Sequence, residues 1–383
     1  MQKVLLLGAS GSIGTQTIDV ILNHEGFELT GFSVGKNIDA ALEILKKFPN
    51  VKYVYVIDKA NEKRILDFNK DINVYSGEEG LLELTRQCPC TMVVNALVGF
   101  VGLEPTLIAL NRDLIVALAN KEALVVGGEL VNDLLAEGHG VIYPIDSEHA
   151  AIHKCLAVDN KDVKRLIITA SGGAFRKYSR EETKNLKKED ALKHPTWNMG
   201  AKITIDCATM VNKTFEVIEA HYLFNYSYDR ISILLHDESM IHSMVEYNDG
   251  TYRGEISHPD MRNPIYYAMT LGKCIFDTYT SDDYRKFGDY HFHKFDMKRY
   301  PIVRYAKKVI EDKGIFGAVL NASNEVAVYS FLNDEISFLQ IEEIISKCMD
   351  ETINIPHPSF KTIKDVDAKT RLRAKEIIKE MRG

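Results

Sequence analysis

The feature that most constrains the fold is the alternation of short apolar segments with helical stretches over the first 145 residues. Strands are predicted at residues 3–7, 27–34, 53–57, 92–96, 114–118 and 141–143. This alternation is typical of an α/β domain with a doubly wound, Rossmann-like parallel sheet. Ligands bind outside the carboxyl ends of the strands of such a sheet, so the residues that follow each strand are the first candidates for a site.

A glycine turn follows the first strand. Gly8, Gly11 and Gly14 precede a helix that is predicted from residue 15 to 23. Glycines allow the backbone to approach a pyrophosphate, and the N-terminus of a helix offers free N–H groups. Ser10 and Ser12 add hydroxyl donors. The turn is predicted to bind a dinucleotide, and a tight strand-to-helix turn without a ligand is the alternative.

The second strand ends in Gly35-Lys36-Asn37. Enzymes that use NAD usually place an acidic residue near this point, where it binds the ribose 2′-hydroxyl. A lysine stands here instead, and a cation beside amide donors suits a 2′-phosphate. The predicted cofactor is therefore NADPH.

Polar residues also follow the later strands of the predicted sheet. Asn120, Lys121 and Glu122 come after one strand, and Asp146 and Glu148 after the next. If the backbone at Asp146 and Glu148 is still extended, both carboxylates point to one side. Two hard oxygen ligands on one side suit Mg²⁺ or Mn²⁺, and a solvated turn is the alternative.

The segment after residue 150 carries a second set of candidates. A strand predicted at 165–169 is followed by Ser171-Gly172-Gly173. This turn can bind a phosphate through the serine hydroxyl and the main chain of the glycines, and a plain hinge is the alternative. A charged segment, 176–191, then leads to a loop with the single tryptophan of the chain, Trp197. An indole on such a loop favours a lid that closes over a ligand, and a place in the core is the alternative.

A polar helix face is predicted further along the chain. Residues 202–205 are predicted as a strand and the helix begins at about residue 208. On that helix Asn212 and Lys213 lie four and three residues before Glu216, so the three side chains share a face. Together they suit a phosphate and a metal ion, whereas a surface ion pair between Lys213 and Glu216 is the alternative.

The sequence that follows this helix predicts a hairpin and then a series of C-terminal helices. Strands at 240–247 and 251–256 flank Asn248-Asp249-Gly250, a strong hairpin signal whose exposed edge suits a homodimer contact. Helices are predicted at 318–332, 338–350 and 365–381. The predicted domains are a cofactor-binding domain at 1–145, a central α+β catalytic domain at 146–275 with a lid at about 172–200, a linker at 276–299 and a C-terminal helical domain at 300–383.

Composition excludes several classes of protein. The net charge of −7 gives no general attraction to nucleic acid or anionic membranes, and no apolar run is long enough to span a bilayer. Six scattered cysteines are expected to be reduced thiols in a cytoplasmic protein. Cys88-Pro89-Cys90 is too tight for a usual zinc site and lacks a second pair.

Several of these motifs, in this order, resemble the 1-deoxy-D-xylulose 5-phosphate reductoisomerase family over the length of the chain. The motifs are Gly8 to Gly14, Gly35-Lys36-Asn37, Ala119-Asn120-Lys121-Glu122, Pro144 to His149, Ser171-Gly172-Gly173, His194-Pro195-Thr196-Trp197 and Ala208-Thr209-Met210-Val211-Asn212-Lys213, with Asn321-Ala322-Ser323-Asn324-Glu325 in the helical tail. The resemblance implies rearrangement of the phosphosugar 1-deoxy-D-xylulose 5-phosphate and its reduction by NADPH to 2-C-methyl-D-erythritol 4-phosphate, an isoprenoid precursor.

The resemblance also implies a role for each matched residue. NADPH would contact Ser10, Gly11, Ser12, Ile13, Gly35, Lys36, Asn37, Asn120, Glu122 and Gly200. One Mg²⁺ or Mn²⁺ would be held by Asp146, Glu148 and Glu216. The catalytic residues would be Lys121, Asp146, Glu148 and Glu216. The substrate would contact Lys121, Ser147, Glu148, Ser171, His194, Trp197, Cys207, Asn212, Lys213 and Glu216, under a lid with Trp197 and Met199.

Several positions depart from the family's pattern. Cys207 replaces a usual serine and is a weaker hydrogen-bond donor. Thr214 replaces a usual glycine, Asp237 a common proline, and Leu271-Gly272 a usual Tyr-Pro. Two alternatives therefore stand beside the reductoisomerase: a related NADPH-dependent reductase of another phosphorylated ketose or aldehyde, and a nicotinamide-responsive binding protein without turnover.

Overall fold

The computed structural model describes residues 1–193, 196–197, 199–273 and 288–382. The strands in chain order are β1 Gln2–Leu7, β2 Phe27–Val34, β3 Tyr53–Val56, β4 Asn73–Ser76, β5 Met92–Asn95, β6 Ile115–Leu118, β7 Val141–Pro144, β8 Val163–Ala170, β9 Ile231–His236, β10 Ile241–Tyr247, β11 Tyr252–Ile256 and β12 Phe292–Lys294. The helices in chain order are α1 Ser12–Asn23, α2 Ile38–Lys47, α3 Glu62–Phe68, α4 Gly77–Gln87, α5 Leu103–Asn111, α6 Lys121–Ala136, α7 Ser147–Val158, α8 Arg180–Thr183, α9 Lys188–Ala191, α10 Ala201–Thr209, α11 Val211–Phe224, α12 Arg262–Met269, α13 Arg304–Asp312, α14 Phe316–Leu332, α15 Phe338–Glu351 and α16 Phe360–Arg382.

The chain forms two compact units. The first comprises Met1–Ala123, Val131–Ala150 and Asp260–Ser281. The second comprises Leu124–Leu130, Ala151–Pro259 and Asp282–Gly383. The domain boundaries at residues 145, 275 and 299 stay predictions.

The first unit is built on a seven-stranded sheet in the order β4-β3-β2-β1-β5-β6-β7. All of its neighbouring strands pair in parallel, as the alternation of strands and helices predicts. In the central strand β1, Val4 to Leu7 are fully buried, because helices cover both faces of such a sheet. The order of the strands reverses between β1 and β5, and this is the point at which doubly wound sheets bind ligands.

The second unit contains a mixed five-stranded sheet in the order β11-β10-β8-β9-β12. Strands β10 and β11 form the predicted hairpin, with Gly250 at a φ of +84° in its turn. The C-terminal helices are also confirmed, and α14 is buried along most of its length. None of the described helices is long and apolar enough to cross a membrane.

One local prediction is wrong. The strand predicted at 202–205 is part of the helix α10, in which Lys202 and Asp206 lie one turn apart and form a buried ion pair of 2.8 Å. The β-branched residues of this segment favour a strand, but a helix brings Lys202 and Asp206 onto one face, where they pair. The linker at 276–299 stays a prediction, and its described part contains the strand β12, which pairs with β9. Residues 274–287 of the segment lie outside the described residues.

Candidate active site

The glycine turn brings the chain close to itself at the end of β1. Gly8 has a φ of +85°, and a Cβ on it would lie 2.6 Å from the carbonyl oxygen of Ala96. A Cβ on Gly14 would lie 2.2 Å from Gly8 O, so neither position accepts a side chain. The helix α1 begins at Ser12, and none of the described side chains caps its N-terminus. Its first N–H groups are therefore available to an anion.

The segment that follows β2 is exposed. Gly35, Lys36 and Asn37 all face solvent. Asn37 also begins α2, because its Oδ1 accepts a hydrogen bond from Ala40 N at 3.0 Å. The Lys36 ammonium is thus presented beside a capped helix N-terminus.

Asn120 organises the loops that follow β5 and β6. It is fully buried, and its Oδ1 accepts a hydrogen bond from Ala123 N, which caps α6. Its amide nitrogen donates to Leu97 O and Gly99 O, both at 3.0 Å, and to Glu122 Oε2 at 3.1 Å. Asn120 thereby fixes the shape of this edge of the sheet.

Lys121 and Asp146 form a mostly buried ion pair in the same unit. Lys121 Nζ lies 2.6 Å from Asp146 Oδ2, and the side chains are 8% and 15% exposed. The buried imidazole of His149 lies 3.6 Å from the same oxygen. Burial alone would raise the pKa of Asp146, but the charge of Lys121 and the nearby imidazole of His149 outweigh it, so the pKa lies below its usual range. Asp146 is therefore an ionised carboxylate near neutral pH.

The structure corrects the reasoning that placed Asp146 and Glu148 on one side of a strand. The strand β7 ends at Pro144 and the helix α7 begins at Ser147, so alternation across a strand does not apply. The two carboxylates are linked instead through Ser147, whose N–H donates to Asp146 Oδ1 at 3.1 Å and whose hydroxyl donates to Glu148 Oε2 at 2.6 Å.

The second unit carries a buried polar face on α11. Lys213 Nζ donates to Glu216 Oε2 at 2.5 Å and to the carbonyl oxygen of Thr169 at 2.6 Å. Asn212 donates to the other oxygen of Glu216. Helical spacing predicted this shared face. The alternative of a solvated ion pair is wrong, because the Lys213 and Glu216 side chains are only 5% and 1% exposed.

The turn after β8 packs on α10. Gly172 and Gly173 have φ values of +84° and +68°, and a Cβ on Gly173 would lie 2.7 Å from Cys207 O. The Ser171 hydroxyl accepts a hydrogen bond from Gly173 N at 3.2 Å. These glycines therefore hold Ser171 in a turn that contacts the helix of Cys207.

The predicted lid is described in part. His194, Pro195 and Asn198 lie outside the described residues. Trp197 is half-buried, with its ring 6.0 Å from that of His242. Gly200 precedes the first residue of α10 and is exposed.

Three contacts of the candidate residues, or of the helices that carry them, were not predicted. His149 lies beside Asp146, and its position three residues further along a helix is the signal that points to it. The Thr169 carbonyl oxygen binds Lys213, and a main-chain acceptor has no sequence signal. Asn324 donates to Asp206 at 2.9 Å and so links α14 to the helix of Cys207.

The sequence matches the family model described as 1-deoxy-D-xylulose 5-phosphate reductoisomerase over residues 4–128. Two models for the C-terminal domain of that enzyme match residues 142–224 and 256–373. A curated relative of this name from Bacillus cereus (strain AH187) is 44% identical over 374 residues, which cover 97% of this chain and 98% of the relative. Another, from Halalkalibacterium halodurans, is 44% identical and covers 99% of this chain and 100% of the relative.

Solved structures give the same result. A crystal structure of DOX-P reductoisomerase in complex with NADPH, fosmidomycin and magnesium matches with a TM-score of 0.93 and 32% identity, and covers 100% of this chain and 99% of that one. The enzyme from Zymomonas mobilis in complex with NADPH matches with a TM-score of 0.89 and 36% identity, over 98% of this chain and 99% of the other.

Proposed function

The chain belongs to the 1-deoxy-D-xylulose 5-phosphate reductoisomerase family, and we propose that it converts 1-deoxy-D-xylulose 5-phosphate to 2-C-methyl-D-erythritol 4-phosphate. The observation that carries this proposal is the 44% identity to enzymes of that name over 97% of the chain. The reaction rearranges the carbon skeleton and then reduces the resulting aldehyde with NADPH, a step of the methylerythritol phosphate pathway to isoprenoid precursors.

NADPH binds at the carboxyl edge of the seven-stranded sheet in this proposal. The turn at Ser10, Gly11, Ser12 and Ile13 receives the pyrophosphate, because α1 presents uncapped N–H groups there and the glycines leave room for close approach. Exposed Lys36 pairs with the 2′-phosphate. The remaining proposed contacts are Gly35, Asn37, Asn120, Glu122 and Gly200.

Asp146, Glu148 and Glu216 are proposed to hold one divalent ion, Mg²⁺ or Mn²⁺. Carboxylate oxygens are the ligands that such ions prefer, and Asp146 is kept ionised by its neighbours. When bound, the ion polarises the carbonyl group of the substrate and stabilises negative charge on its oxygens. Lys121, 2.6 Å from Asp146, adds a second positive charge to bind the same end of the substrate, and Ser147 orients both nearby carboxylates.

The phosphate of the substrate is proposed to bind Ser171, Asn212 and Lys213, with contributions from His194 and Cys207. Lys213 and Asn212 are buried on one face of α11, so their orientation is fixed before the substrate arrives. Binding energy at the phosphate, which is remote from the reacting carbons, then orients those carbons as a lid with Trp197 and Met199 closes.

Product identification tests the proposed reaction. The protein is incubated with 1-deoxy-D-xylulose 5-phosphate, NADPH and Mg²⁺, and the product is analysed by NMR. Formation of 2-C-methyl-D-erythritol 4-phosphate, dependent on both NADPH and metal, supports the proposal. NADPH consumption with an unrearranged product indicates a reductase of other sugar phosphates, and binding of NADPH without turnover indicates a binding protein.

Cys207 departs from the family's pattern, and this departure is the reason to test the related reductase as an alternative. Cys207 offers a weaker donor at the proposed phosphate site, so Cys207→Ser is expected to keep turnover similar or to lower KM. A large loss of activity would instead give the thiol its own role. Thr214 adds no polar group to the site, because its hydroxyl donates to Met210 O at 2.9 Å within the helices.

A homodimer and a cytoplasmic location complete the proposal. The strand β11 lies at one edge of the five-stranded sheet, and its Tyr252 and Ile256 are 56% and 46% exposed. A second copy of the chain that adds its own β11 would cover them. Light scattering of the wild type and of Tyr252→Lys tests this contact. A dimeric wild type and a monomeric variant support it, whereas an unchanged mass of the variant contradicts it.

A further inference from the structure

The C-terminal helices α14 and α15 carry none of the residues proposed for the cofactor, the metal ion or the substrate. They nevertheless contact the part of the chain that joins the proposed phosphate turn at Ser171 to the lid residue Trp197. We call residues 174–192 of this part the lid arm. The lid arm contains the short helices α8 and α9, and it belongs to the second unit together with α14 and α15.

An aromatic contact docks the start of the lid arm on these helices. The Phe175 side chain is 2% exposed, and its ring packs edge-on against Phe338 of α15, with 4.7 Å between the ring centroids. Phe338 in turn contacts Phe331 of α14, with a centroid distance of 5.8 Å. Burial of these rings is favourable, so the lid arm begins on a packed support.

Arg180 fixes the middle of the lid arm. Its guanidinium donates to the two carboxylate oxygens of Glu342 in α15, at 2.8 and 3.0 Å. It also donates to the carbonyl oxygen of Arg299 at 3.2 Å. Two parallel hydrogen bonds set the angle between a guanidinium and a carboxylate as well as their distance. The pair therefore orients α8 against α15.

Lys188 fixes the end of the lid arm. Its ammonium donates to the carbonyl oxygen of Leu332, the last residue of α14, at 3.0 Å. It also donates to Asp334 Oδ2 at 2.5 Å. Ala191, at the end of α9, is fully buried. The lid arm is thus attached to the C-terminal helices up to a point shortly before Trp197.

The lid arm is also bonded to the proposed phosphate turn. The Arg176 guanidinium donates to the carbonyl oxygen of Ser171 at 3.3 Å and to that of Asp237 at 2.7 Å. A displacement of the lid arm would therefore affect Ser171 at one end and Trp197 at the other.

We propose that Arg180 and Lys188 are positioning residues, through which α14 and α15 hold the lid arm and so set where Trp197 meets the substrate. This inference rests on the proposed function, because that function gives Trp197 its place at the substrate. A lid arm that is already held loses less conformational freedom when the substrate binds. The two ion pairs should therefore lower KM for the substrate.

Fluorescence tests the inference without turnover, because Trp197 is the single tryptophan of the chain. Arg180→Glu in the full-length protein places a carboxylate opposite Glu342. We expect acrylamide to quench the unliganded variant more strongly than the unliganded wild type. We also expect KM for 1-deoxy-D-xylulose 5-phosphate to rise about 5-fold and kcat to change less, a factor that corresponds to a surface ion pair at the upper end of its usual strength. Exchange of the pair, Arg180→Glu with Glu342→Arg, should return both values towards those of the wild type.

Arg373→Glu is the matched control. Arg373 lies on α16, outside the lid arm, and donates to both carboxylate oxygens of Glu351 in the same helix α15, at 2.8 and 3.0 Å. This variant should lose stability but keep the quenching and the KM of the wild type. Wild-type quenching and KM in Arg180→Glu, equal changes in Arg373→Glu, or no recovery in the exchanged pair would each overturn the inference.

A second variant and the wild type complete the test. Lys188→Glu, opposite Asp334, should raise quenching and KM in the same direction, and it decides the question if Arg180→Glu does not fold. Failure of the proposed function would appear as a wild type that does not convert 1-deoxy-D-xylulose 5-phosphate. The quenching comparison would still decide whether Arg180 and Lys188 hold the lid arm.

Discussion

The replacement Glu216→Gln tests the buried face of α11 because it removes a charge and keeps the size of the side chain. Glu216 and Lys213 are 1% and 5% exposed, so water cannot solvate either group in place. Removal of one member of a buried pair costs about 3–5 kcal/mol, since the other charge is left uncompensated. The Thr169 carbonyl oxygen still accepts a hydrogen bond from Lys213 in the variant. We therefore expect the free energy of unfolding to fall by about 3 kcal/mol, near the lower end of this range.

The same replacement removes one of the three proposed metal ligands. Loss of a group that merely orients a ligand lowers metal affinity by about 10–100-fold, so loss of a ligand itself should lower Mg²⁺ affinity by at least about 100-fold. Denaturant unfolding in EDTA measures the stability of the metal-free protein. The dependence of NADPH consumption on Mg²⁺ concentration measures the metal requirement.

A matched variant separates the two effects. Glu325→Gln removes a mostly buried carboxylate of α14 that pairs with Arg371 at 2.7 Å and is not a proposed ligand. We expect this control to lose stability but to keep the Mg²⁺ dependence of the wild type. The reasoning is refuted if Glu216→Gln keeps near-normal activity at low Mg²⁺, or if it unfolds at the same denaturant concentration as the wild type.

Three further predictions concern the cofactor, the phosphate turn and pH. Lys36→Ala should raise KM for NADPH about 10-fold and leave KM for NADH unchanged, because it loses one charged contact to the 2′-phosphate, as steady-state kinetics can show. Gly173→Ala should lower the free energy of unfolding more than Gly138→Ala does, as denaturant unfolding can show. Both glycines have a positive φ, but only a Cβ at position 173 would lie within 3 Å of another main-chain atom. Burial would raise the pKa of Glu238, but hydrogen bonds from His291 lower it to about 2. The ionised Glu238 therefore stabilises the folded state at pH values above 4.5, the pKa of the group in the unfolded chain. This stabilisation is lost as the pH falls towards 2. Glu238→Gln should therefore reduce stability at neutral pH and have much less effect at pH of about 2, and an equal loss at both would contradict the assignment.

The architecture was predictable where a pattern repeats. The buried run Val4 to Leu7 and the glycines after it indicate a central parallel strand and a ligand turn, because only such a strand is apolar on both faces. The face shared by Asn212 and Glu216 follows from helical periodicity alone. Both features depend on residues that are close together in the sequence, so the sequence alone predicts them.

The errors arose where a distant or local contact overrides propensity. The segment at 202–205 is rich in β-branched residues, yet the ion pair between Lys202 and Asp206 and the hydrogen bond from Asn324 stabilise a helix there. The early start of α7 at Ser147 moves Glu148 out of the extended backbone on which its predicted direction depended. The binding of the cofactor by Asn120 stays a prediction, whereas the internal hydrogen bonds of this residue have no sequence signal.

The central claim is that three carboxylates, separated along the chain, bind one divalent ion next to NADPH. A crystal structure of the protein with NADPH, Mn²⁺ and substrate measures this directly, since anomalous scattering locates the manganese. The account predicts one ion with oxygen ligands from Asp146, Glu148 and Glu216. A manganese bound elsewhere, or an Asp146 or Glu216 side chain turned to solvent in that complex, would contradict it.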